Sequence, residues 1–199
     1  MPRLKPVPRD EWPDEMFEAT KKLFPKNARH PHPIAKGRPQ APGVMDTFAL
    51  HPELASAFFE FNTHVLTSTT LTARHRHILI LRVAARRRST SLWAQHTFQA
   101  RDIGITDEFI ARIAFGSDAP FLEPVEAALI RAVDELIDDG CIGTATFDAL
   151  ASALEPKQLL DVIFTVGCYD TASRFMNSMQ FETDPDYTDY LEKTPAADR

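Results

Sequence analysis

The sequence predicts an all-α fold, a bundle of about seven helices that follows an extended, proline-rich N-terminal arm. Apolar residues recur at steps of three and four in most segments after residue 52, which is the period of an amphipathic helix. N-cap residues or prolines precede these segments, and glycines follow several of them. No two segments alternate apolar and polar residues around a hairpin turn, so strands are not expected. The 199 residues, 44% of them hydrophobic, suit a single domain with a sizeable core.

The N-terminal arm holds much of the proline. This content predicts an extended segment with one short helix at residues 13–23, which we expect to lie over the helical body or a neighbouring subunit. His30 and His32 alternate with prolines there, but two histidines in an extended segment are more often surface residues than metal ligands. The predicted organisation is an arm (residues 1–45), a helical domain (46–182) and a polar C-terminal tail (183–199).

The first helix of the domain starts at Pro52 and ends in the hydroxyl-rich residues 67–70. Thr72 is a good N-cap for the second helix, which is so densely apolar over residues 78–83 that we expect burial on most sides. Three arginines, 86–88, end this helix, where their charges complement the negative end of the helix dipole. The third helix starts near Ser89 or Ser91 and stops at Gly104.

Caps and glycines also delimit the remaining helices. Thr106 caps a short helix that ends at Gly116, and Pro124 begins one that closes at Gly140. Thr144 starts the next helix, and Pro156 starts the last long one. Eight apolar residues of this last helix predict deep burial: Leu159, Leu160, Ile163, Phe164, Val166, Cys168, Phe175 and Met179.

Composition excludes several classes of function. The net charge of -6 and the pI of about 5.6 argue against a nucleic-acid-binding protein, which needs a basic face. No apolar run is long enough to cross a bilayer, and the N-terminus has no signal-like apolar region, so we expect a cytoplasmic protein without membrane contact. Cys141 and Cys168 lie far apart and form no C-x-x-C pair, so neither a redox pair nor a zinc cluster is expected.

Residues 45–182 resemble the carboxymuconolactone decarboxylase family, including its AhpD-like members. The resemblance is carried by L-T-A-R-H-R-H-I-L-I-L-R-V-A, S-L-W-A-Q-H and A-R-D-I-G-I-T, and by the flanking H-P-E-L-A-S-A-F and E-P-K-Q-L-L-D-V-I-F-T-V-G-C-Y. It implies an AhpD-like helical bundle and a homo-oligomer, either a dimer, a trimer or a hexamer. The family is functionally mixed, so the resemblance alone does not specify the chemistry.

The peroxidase members of the family carry C-x-x-C-x-x-x-H, with a glutamate on the preceding helix. Counted back from His96, the two cysteine positions fall on Ser89 and Leu92, and the glutamate position falls on His77 or a neighbour. Peroxide reduction through a thiolate needs a sulfur of low pKa and a resolving partner. Thiol peroxidase activity is therefore not expected.

The decarboxylase-like members often carry Y-E-W-x-x-H. This chain keeps Trp93 and His96, but Ser91 and Leu92 stand where the tyrosine and the glutamate would lie. His96 remains as the catalytic candidate, because an imidazole with a pKa of about 6.5 can take up or release a proton at neutral pH. The alternative is a hydrogen-bonded core histidine. His77 is a second proton-handling candidate, and its alternative is a surface residue early in a helix.

Five further side chains are candidates for substrate binding. Ser89 and Ser91 could bind substrate, although we favour capping of the third helix. Trp93 would shape the pocket, and Tyr169 would either place its hydroxyl there or fill the core. Arg82 lies in a buried helix and needs a partner; we favour an ion pair with an acid such as Asp102 or Asp170, and a substrate carboxylate is the alternative. No metal is expected, since His75 and His77 point about 200 degrees apart on a helix, although one of them could meet His96.

These residues predict cofactor-free acid-base chemistry, of the decarboxylase, lyase or isomerase type, on a small acidic or lactone-like molecule. His96 would carry the proton and Trp93 would shape the pocket. The alternative is a non-catalytic relative that binds a small hydrophobic ligand or serves as an assembly component. It rests on the loss of the thiols and carboxylates that the family uses.

Overall fold

The computed structural model describes residues 3–31 and 42–181. Over these residues the chain is all-α, as predicted, with nine α-helices and no strand. Their bounds are α1 Asp14–Thr20, α2 Pro42–Phe48, α3 Pro52–Thr63, α4 Ala73–Arg86, α5 Thr90–Asp102, α6 Asp107–Phe115, α7 Pro124–Asp138, α8 Thr144–Ala151 and α9 Pro156–Met179. Short 3-10 turns span Arg9–Glu11 and Lys21–Leu23, and a π-helical turn, His64–Ser68, continues α3. None of the helices within these two ranges has the length and apolarity to cross a membrane.

The helices begin where the capping residues predict. The Thr72 hydroxyl accepts a hydrogen bond of 3.0 Å from the backbone N–H of His75 at the start of α4. The Thr106 hydroxyl caps α6 in the same way. Helix α6 ends at Gly116, which has a φ of 131°. A Cβ at this position would lie 3.2 Å from the Arg82 guanidinium, so both the backbone conformation and the space favour glycine.

Helix α4 is the centre of the bundle. Its residues from Ile78 to Leu81, together with Val83, have no solvent exposure, because α5, α6, α7 and α9 surround the helix. This confirms the burial predicted from the apolar run. A second, smaller apolar cluster joins α1, α2 and α3 around Met16, Phe48 and Phe59. The helix that carries the apolar run 78–83 therefore packs against four other helices of the domain.

The sequence did not predict α2, which begins at Pro42 within the segment expected to be extended. Proline suits the first position of a helix, and Phe48 at the helix end packs among Phe58, Phe59 and Phe175. Part of the arm lies over the start of α4: the backbone N–H groups of Arg29 and His30 donate to the Thr67 carbonyl. His32 and the tail 183–199 lie outside the described residues.

The deep burial predicted for α9 is only partly correct. Val166 and Cys168 are buried, but Leu160 is 59% exposed, Phe164 is 55% exposed and Ile163 is 37% exposed. Leu159, Phe175 and Met179 are half-buried. The helix is apolar around its whole circumference, whereas the bundle covers only one side of it. Apolar periodicity could therefore not show which side faces the core.

Candidate active site

Two buried histidines meet between the central helices. His77 on α4 and His96 on α5 are 2% and 3% exposed, and their ring centroids lie 6.0 Å apart. The ring of Tyr169, from α9, meets His96 edge-on with centroids 4.9 Å apart. Three different helices thus supply the three rings, and the fold brings together three of the residues singled out in the sequence. The surface position considered for His77 is wrong, because α5 and α9 cover this part of α4.

The hydrogen bond of His77 fixes its tautomer. Its Nδ1 atom lies 2.7 Å from the Ala73 carbonyl oxygen. Since a carbonyl only accepts, Nδ1 carries the proton and Nε2 carries the lone pair. Burial, followed by the nearby charge of Arg76, lowers the pKa of His77 to about 4. The imidazole is therefore neutral at pH 7, and its buried Nε2 has no hydrogen bond of normal geometry, although the Gln99 side chain is close enough to act on the ring.

His96 is held in a similar state. Burial lowers its pKa well below the ordinary value, and the positive charges of His77, where that ring is protonated, and of Arg76 act in the same direction. Its Nδ1 atom is buried and has no hydrogen-bond partner. Burial also raises the pKa of Tyr169, which keeps the phenol protonated. At neutral pH the three rings therefore present proton donors and acceptors without a negative charge.

Helix α5 carries further buried polar atoms that lack a hydrogen-bond partner, namely Ser89 Oγ, Thr97 Oγ1 and Gln99 Oε1. Buried polar groups in folded proteins are nearly always hydrogen-bonded, so such a group of exceptions needs an explanation. Among the described residues, the two neutral imidazoles with orphaned ring nitrogens are the strongest indication of a site.

The serine prediction needs correction. Ser89 occupies the N-cap position of α5, but its side chain makes no capping hydrogen bond and is 1% exposed. Its hydroxyl is directed into the interior, where it cannot reach the first backbone N–H groups of the helix. The Ser91 hydroxyl donates to the Phe181 carbonyl at 3.4 Å, at the end of α9. Capping by either hydroxyl is therefore wrong, and only Ser89 is buried without a hydrogen-bond partner.

Arg82 has a different partner from those predicted. Its Nε and Nη2 atoms each lie 2.8 Å from a carboxylate oxygen of Asp134 on α7, and Nη1 donates to the Ile113 and Ala114 carbonyls. Asp102 and Asp170 are not its partners, because Arg82 faces α6 and α7 rather than α9. Asp170 instead pairs with Arg87 and Arg174. Arg82 thus ties α4, α6 and α7 together away from the histidine pair.

The remaining candidates can now be placed. Trp93 is 8% exposed in the main core, three residues before His96 on α5. Cys168 is buried, and burial raises the pKa of its thiol to about 11, so it supplies little thiolate at pH 7. Cys141 is exposed, and both cysteines are free. Over residues 3–31 and 42–181 no three or more histidine, cysteine or acidic side chains converge as a metal site would require.

Arg76 was missed in the sequence, although it belongs to the same cluster. It is 4% exposed, its Nη1 atom donates to the Leu66 carbonyl at 2.6 Å, and its charge acts on both histidines. A signal for its burial was present, since Ile80 and Val83 lie four and seven residues further along the same helix face. A basic residue on the buried face of an apolar helix is a candidate functional group.

A separate apolar groove of about 330 Å³ lies between α2, α3 and α9. Its walls include Leu4, Leu54, Phe58 and Phe175, and they share no residue with the histidine cluster. The groove therefore offers an apolar surface, whereas the proton-handling groups lie between α4, α5 and α9.

Fold and site together define an AhpD-like helical bundle with a buried imidazole pair between its central helices. Residues 52–135 match the carboxymuconolactone decarboxylase family. The family resemblance drawn from the sequence is therefore confirmed. No curated protein sequence matches the chain.

Solved structures of similar fold share little sequence with this chain. An uncharacterized peroxidase-related protein from Ralstonia eutropha JMP134, described as an alkylhydroperoxidase AhpD core, aligns with a TM-score of 0.74 and 16% identity over 96% of each chain. An uncharacterized peroxidase-related protein from Silicibacter sp. TM1040 aligns with a TM-score of 0.74 and 14% identity, over 94% of this chain and 93% of that one. The debrominase Bmp8 aligns with a TM-score of 0.70 and 11% identity, over 94% and 95%. These similarities establish the fold.

Proposed function

We propose that this protein is a cofactor-free acid-base enzyme that acts on a small acidic or lactone-like molecule at the histidine pair. The observation that carries the proposal is the juxtaposition of His77 and His96, both buried and neutral at pH 7, each with a ring nitrogen that lacks a hydrogen-bond partner. A neutral imidazole is the form that accepts a proton. Two of them in one cluster can remove a proton at one atom and return it at another.

The chemistry that suits this arrangement is proton transfer at a carbon next to a carbonyl. One imidazole removes the C–H proton, and the electron pair moves into the carbonyl to give an enolate. That imidazole, now protonated, or the second one after the proton has passed to it, returns a proton to another carbon of the enolate, which completes an isomerisation. In a decarboxylation no C–H proton is removed: the electron pair of the breaking C–C bond moves into the carbonyl as CO₂ departs, and an imidazole that has taken up a proton from solvent delivers it to the enolate carbon. Neither sequence consumes an oxidant or a reductant.

The surroundings support these roles. The protonated Tyr169 phenol meets His96 edge-on and is a hydrogen-bond donor for a developing oxyanion. Ser89 Oγ is a further polar group for positioning the substrate. Thiol peroxidase activity is not proposed, because the buried Cys168 thiol has a raised pKa and the sequence has no C-x-x-C pair. We also propose a cytoplasmic location, which cell fractionation would test.

The test is deuterium exchange followed by NMR. A panel of lactones and oxo acids is incubated in D₂O with the wild-type protein, and exchange next to the carbonyl is measured before any net reaction is known. We expect His96→Asn to slow the exchange by about 10²- to 10⁴-fold, the usual contribution of a general base. The control is His64→Asn, which removes an exposed histidine at the end of α3. Wild-type exchange rates in the His96 variant would exclude His96 from the chemistry.

The apolar groove supports a second candidate function, in which this surface binds a hydrophobic partner. Leu50 and Leu54 are about half exposed at the groove, and Phe164 and Leu160 continue the exposed apolar surface along α9. Apolar surfaces of this extent are common at subunit interfaces. We propose a homo-oligomer assembled through this surface. Light scattering should give a mass above 22.4 kDa, and Leu54→Asp should lower it; a monomer in the wild type would contradict the proposal.

A further inference from the structure

The arginines of α4 and its C-terminal end differ in one respect. Four of them pair with carboxylates: Arg74 with Glu126, Arg82 with Asp134, Arg86 with Asp134 and Asp138, and Arg87 with Asp170. Arg76 and Arg88 have no such partner in the part of the chain that the structure describes, and of these two only Arg76 is buried. Within residues 3–31 and 42–181 no carboxylate lies at ion-pair distance from it, although it is 4% exposed. Its Nε atom is buried without a hydrogen-bond partner.

Arg82 shows what a satisfied arginine looks like in this helix. Its Nη1 atom donates to backbone carbonyls, while Nε and Nη2, on the side edge of the guanidinium, bind the two oxygens of the Asp134 carboxylate. Arg76 repeats the first half of this arrangement, because its Nη1 atom donates to the Leu66 carbonyl. The second half is missing, since the side edge that includes Nε has no carboxylate among the described residues. The side edge of the Arg76 guanidinium therefore lacks a carboxylate partner within the described ranges, and its geometry suits a bidentate contact with a planar anion.

The surroundings increase the need for that anion. A buried charge is costly unless it is paired, and no described carboxylate lies at ion-pair distance from Arg76. His77 and His96 are neutral at pH 7, and burial keeps the Tyr169 phenol protonated. The charge of Asp102 acts on His77, but Asp102 forms no ion pair with Arg76. A ligand that carries a single carboxylate would balance the charge of Arg76.

We propose that the side edge of Arg76 binds the carboxylate of a small organic acid, next to the orphaned ring nitrogens of His77 and His96. The inference rests on the proposed function, which considered acidic and lactone-like molecules as substrates. It assigns the substrate to the organic acids and names Arg76 as the residue that recognises it. It also gives binding a catalytic consequence. The charge of Arg76 lowers the pKa values of both histidines, so a bound carboxylate offsets that effect and makes them stronger bases. The acid would thus activate the groups that act on it.

The experiment compares carboxylates with their neutral amides. The melting temperature of the full-length protein is measured at constant ionic strength with formate, acetate and benzoate, and with formamide, acetamide and benzamide. A ligand that binds only the folded state raises the melting temperature with its concentration. We expect at least one carboxylate to do so while its amide does not. If no carboxylate exceeds its amide, the inference is overturned.

Variants then assign the effect to Arg76. Arg76→Gln should weaken carboxylate binding by at least about tenfold, because a charge-assisted bidentate contact is lost. Arg88→Gln removes the same charge from the exposed end of the helix and should change binding by less than about twofold. Equal binding in Arg76→Gln and the wild type would overturn the inference.

Folding of Arg76→Gln is checked by circular dichroism. Should it not fold, Arg76→Lys takes its place, since lysine keeps the charge but not the planar fork. Binding should then fall by about threefold or more, and unchanged binding would overturn the inference. The measurement needs no turnover. Carboxylate binding through Arg76 without proton exchange would refute the proposed function alone, whereas exchange without such binding would refute the inference alone.

Discussion

Acidification should destabilise the protein through its buried histidines. The pKa of His77 is about 4 in the folded chain and 6.5 in its unperturbed form, because burial disfavours the charged imidazole. Between these values the unfolded chain binds more protons than the folded chain, so stability falls as the pH falls. The stabilisation is fully present above about pH 6.5 and is lost progressively toward pH 4. His96 contributes with the same sign, since its pKa is lowered as well.

The magnitude follows from the two pKa values of His77. The unfolded chain takes up a proton on His77 more readily than the folded chain does. Lowering the pH from 7 to 5 therefore reduces the free energy of unfolding by about 2 kcal/mol through this residue alone. The assay is urea denaturation at pH 7, 6 and 5. His77→Asn is the informative variant, because the asparagine amide can still donate to the Ala73 carbonyl but cannot be protonated. Its stability should fall between pH 7 and pH 5 by about 2 kcal/mol less than that of the wild type.

His64 provides the control, since its side chain is 58% exposed and lies outside the buried cluster. Protonated His64 can pair with Asp161, so His64→Asn should lose at least as much free energy of unfolding between pH 7 and pH 5 as the wild type does, in contrast to His77→Asn. The reasoning is refuted if the wild type and His77→Asn lose the same free energy over this range. That result would mean that His77 has the same pKa in the folded and the unfolded chain, so that burial does not hold its imidazole neutral below about pH 6.5.

Three further predictions concern the charges and thiols around the site. Asp134→Asn should lower the free energy of unfolding by about 3–5 kcal/mol in urea denaturation, because it leaves the buried Arg82 charge without its carboxylate; a loss below about 1 kcal/mol would contradict this. A thiol reagent should label Cys141 at once and Cys168 only after unfolding, and equally fast labelling of both would show that the core opens. His77→Glu should weaken carboxylate binding by at least about tenfold, since it adds a negative charge beside Arg76. Unchanged binding would show that a charge at residue 77 does not affect the binding of a carboxylate by Arg76.

The fold was largely predictable because it depends on local signals that one sequence contains. Thr72 and Thr106 mark helix starts by capping chemistry, and the apolar run 78–83 identifies the helix that the others surround. The exposure of Leu160 and Phe164 was not predictable, because an apolar helix looks the same whether a neighbouring helix or another molecule covers it. Periodicity tells which residues share a face but not what that face meets.

The site was predictable only in part, because its geometry depends on contacts between helices. His96 and His77 were found by their place in a family pattern, but their distance depends on how α4 packs against α5. The partner of Arg82 could not be read from the sequence, since Asp134 lies 52 residues away on α7. The burial of Arg76 could have been inferred from the helix face that it shares with Ile80 and Val83. Its lack of a carboxylate partner among the described residues, in contrast, is visible only in three dimensions.

The replacement of the family's glutamate by a histidine at or next to residue 77 connects these features. The family resemblance places a glutamate at or next to this position, and a carboxylate there would supply a negative charge close to Arg76. An imidazole whose Nδ1 proton is donated to the Ala73 carbonyl supplies a base without a charge. On the proposed function, the positive charge of Arg76 is left for a ligand to balance, while burial, together with that charge, keeps both histidines neutral. We therefore propose that the loss of the carboxylate leaves a cluster whose charge an acidic substrate balances.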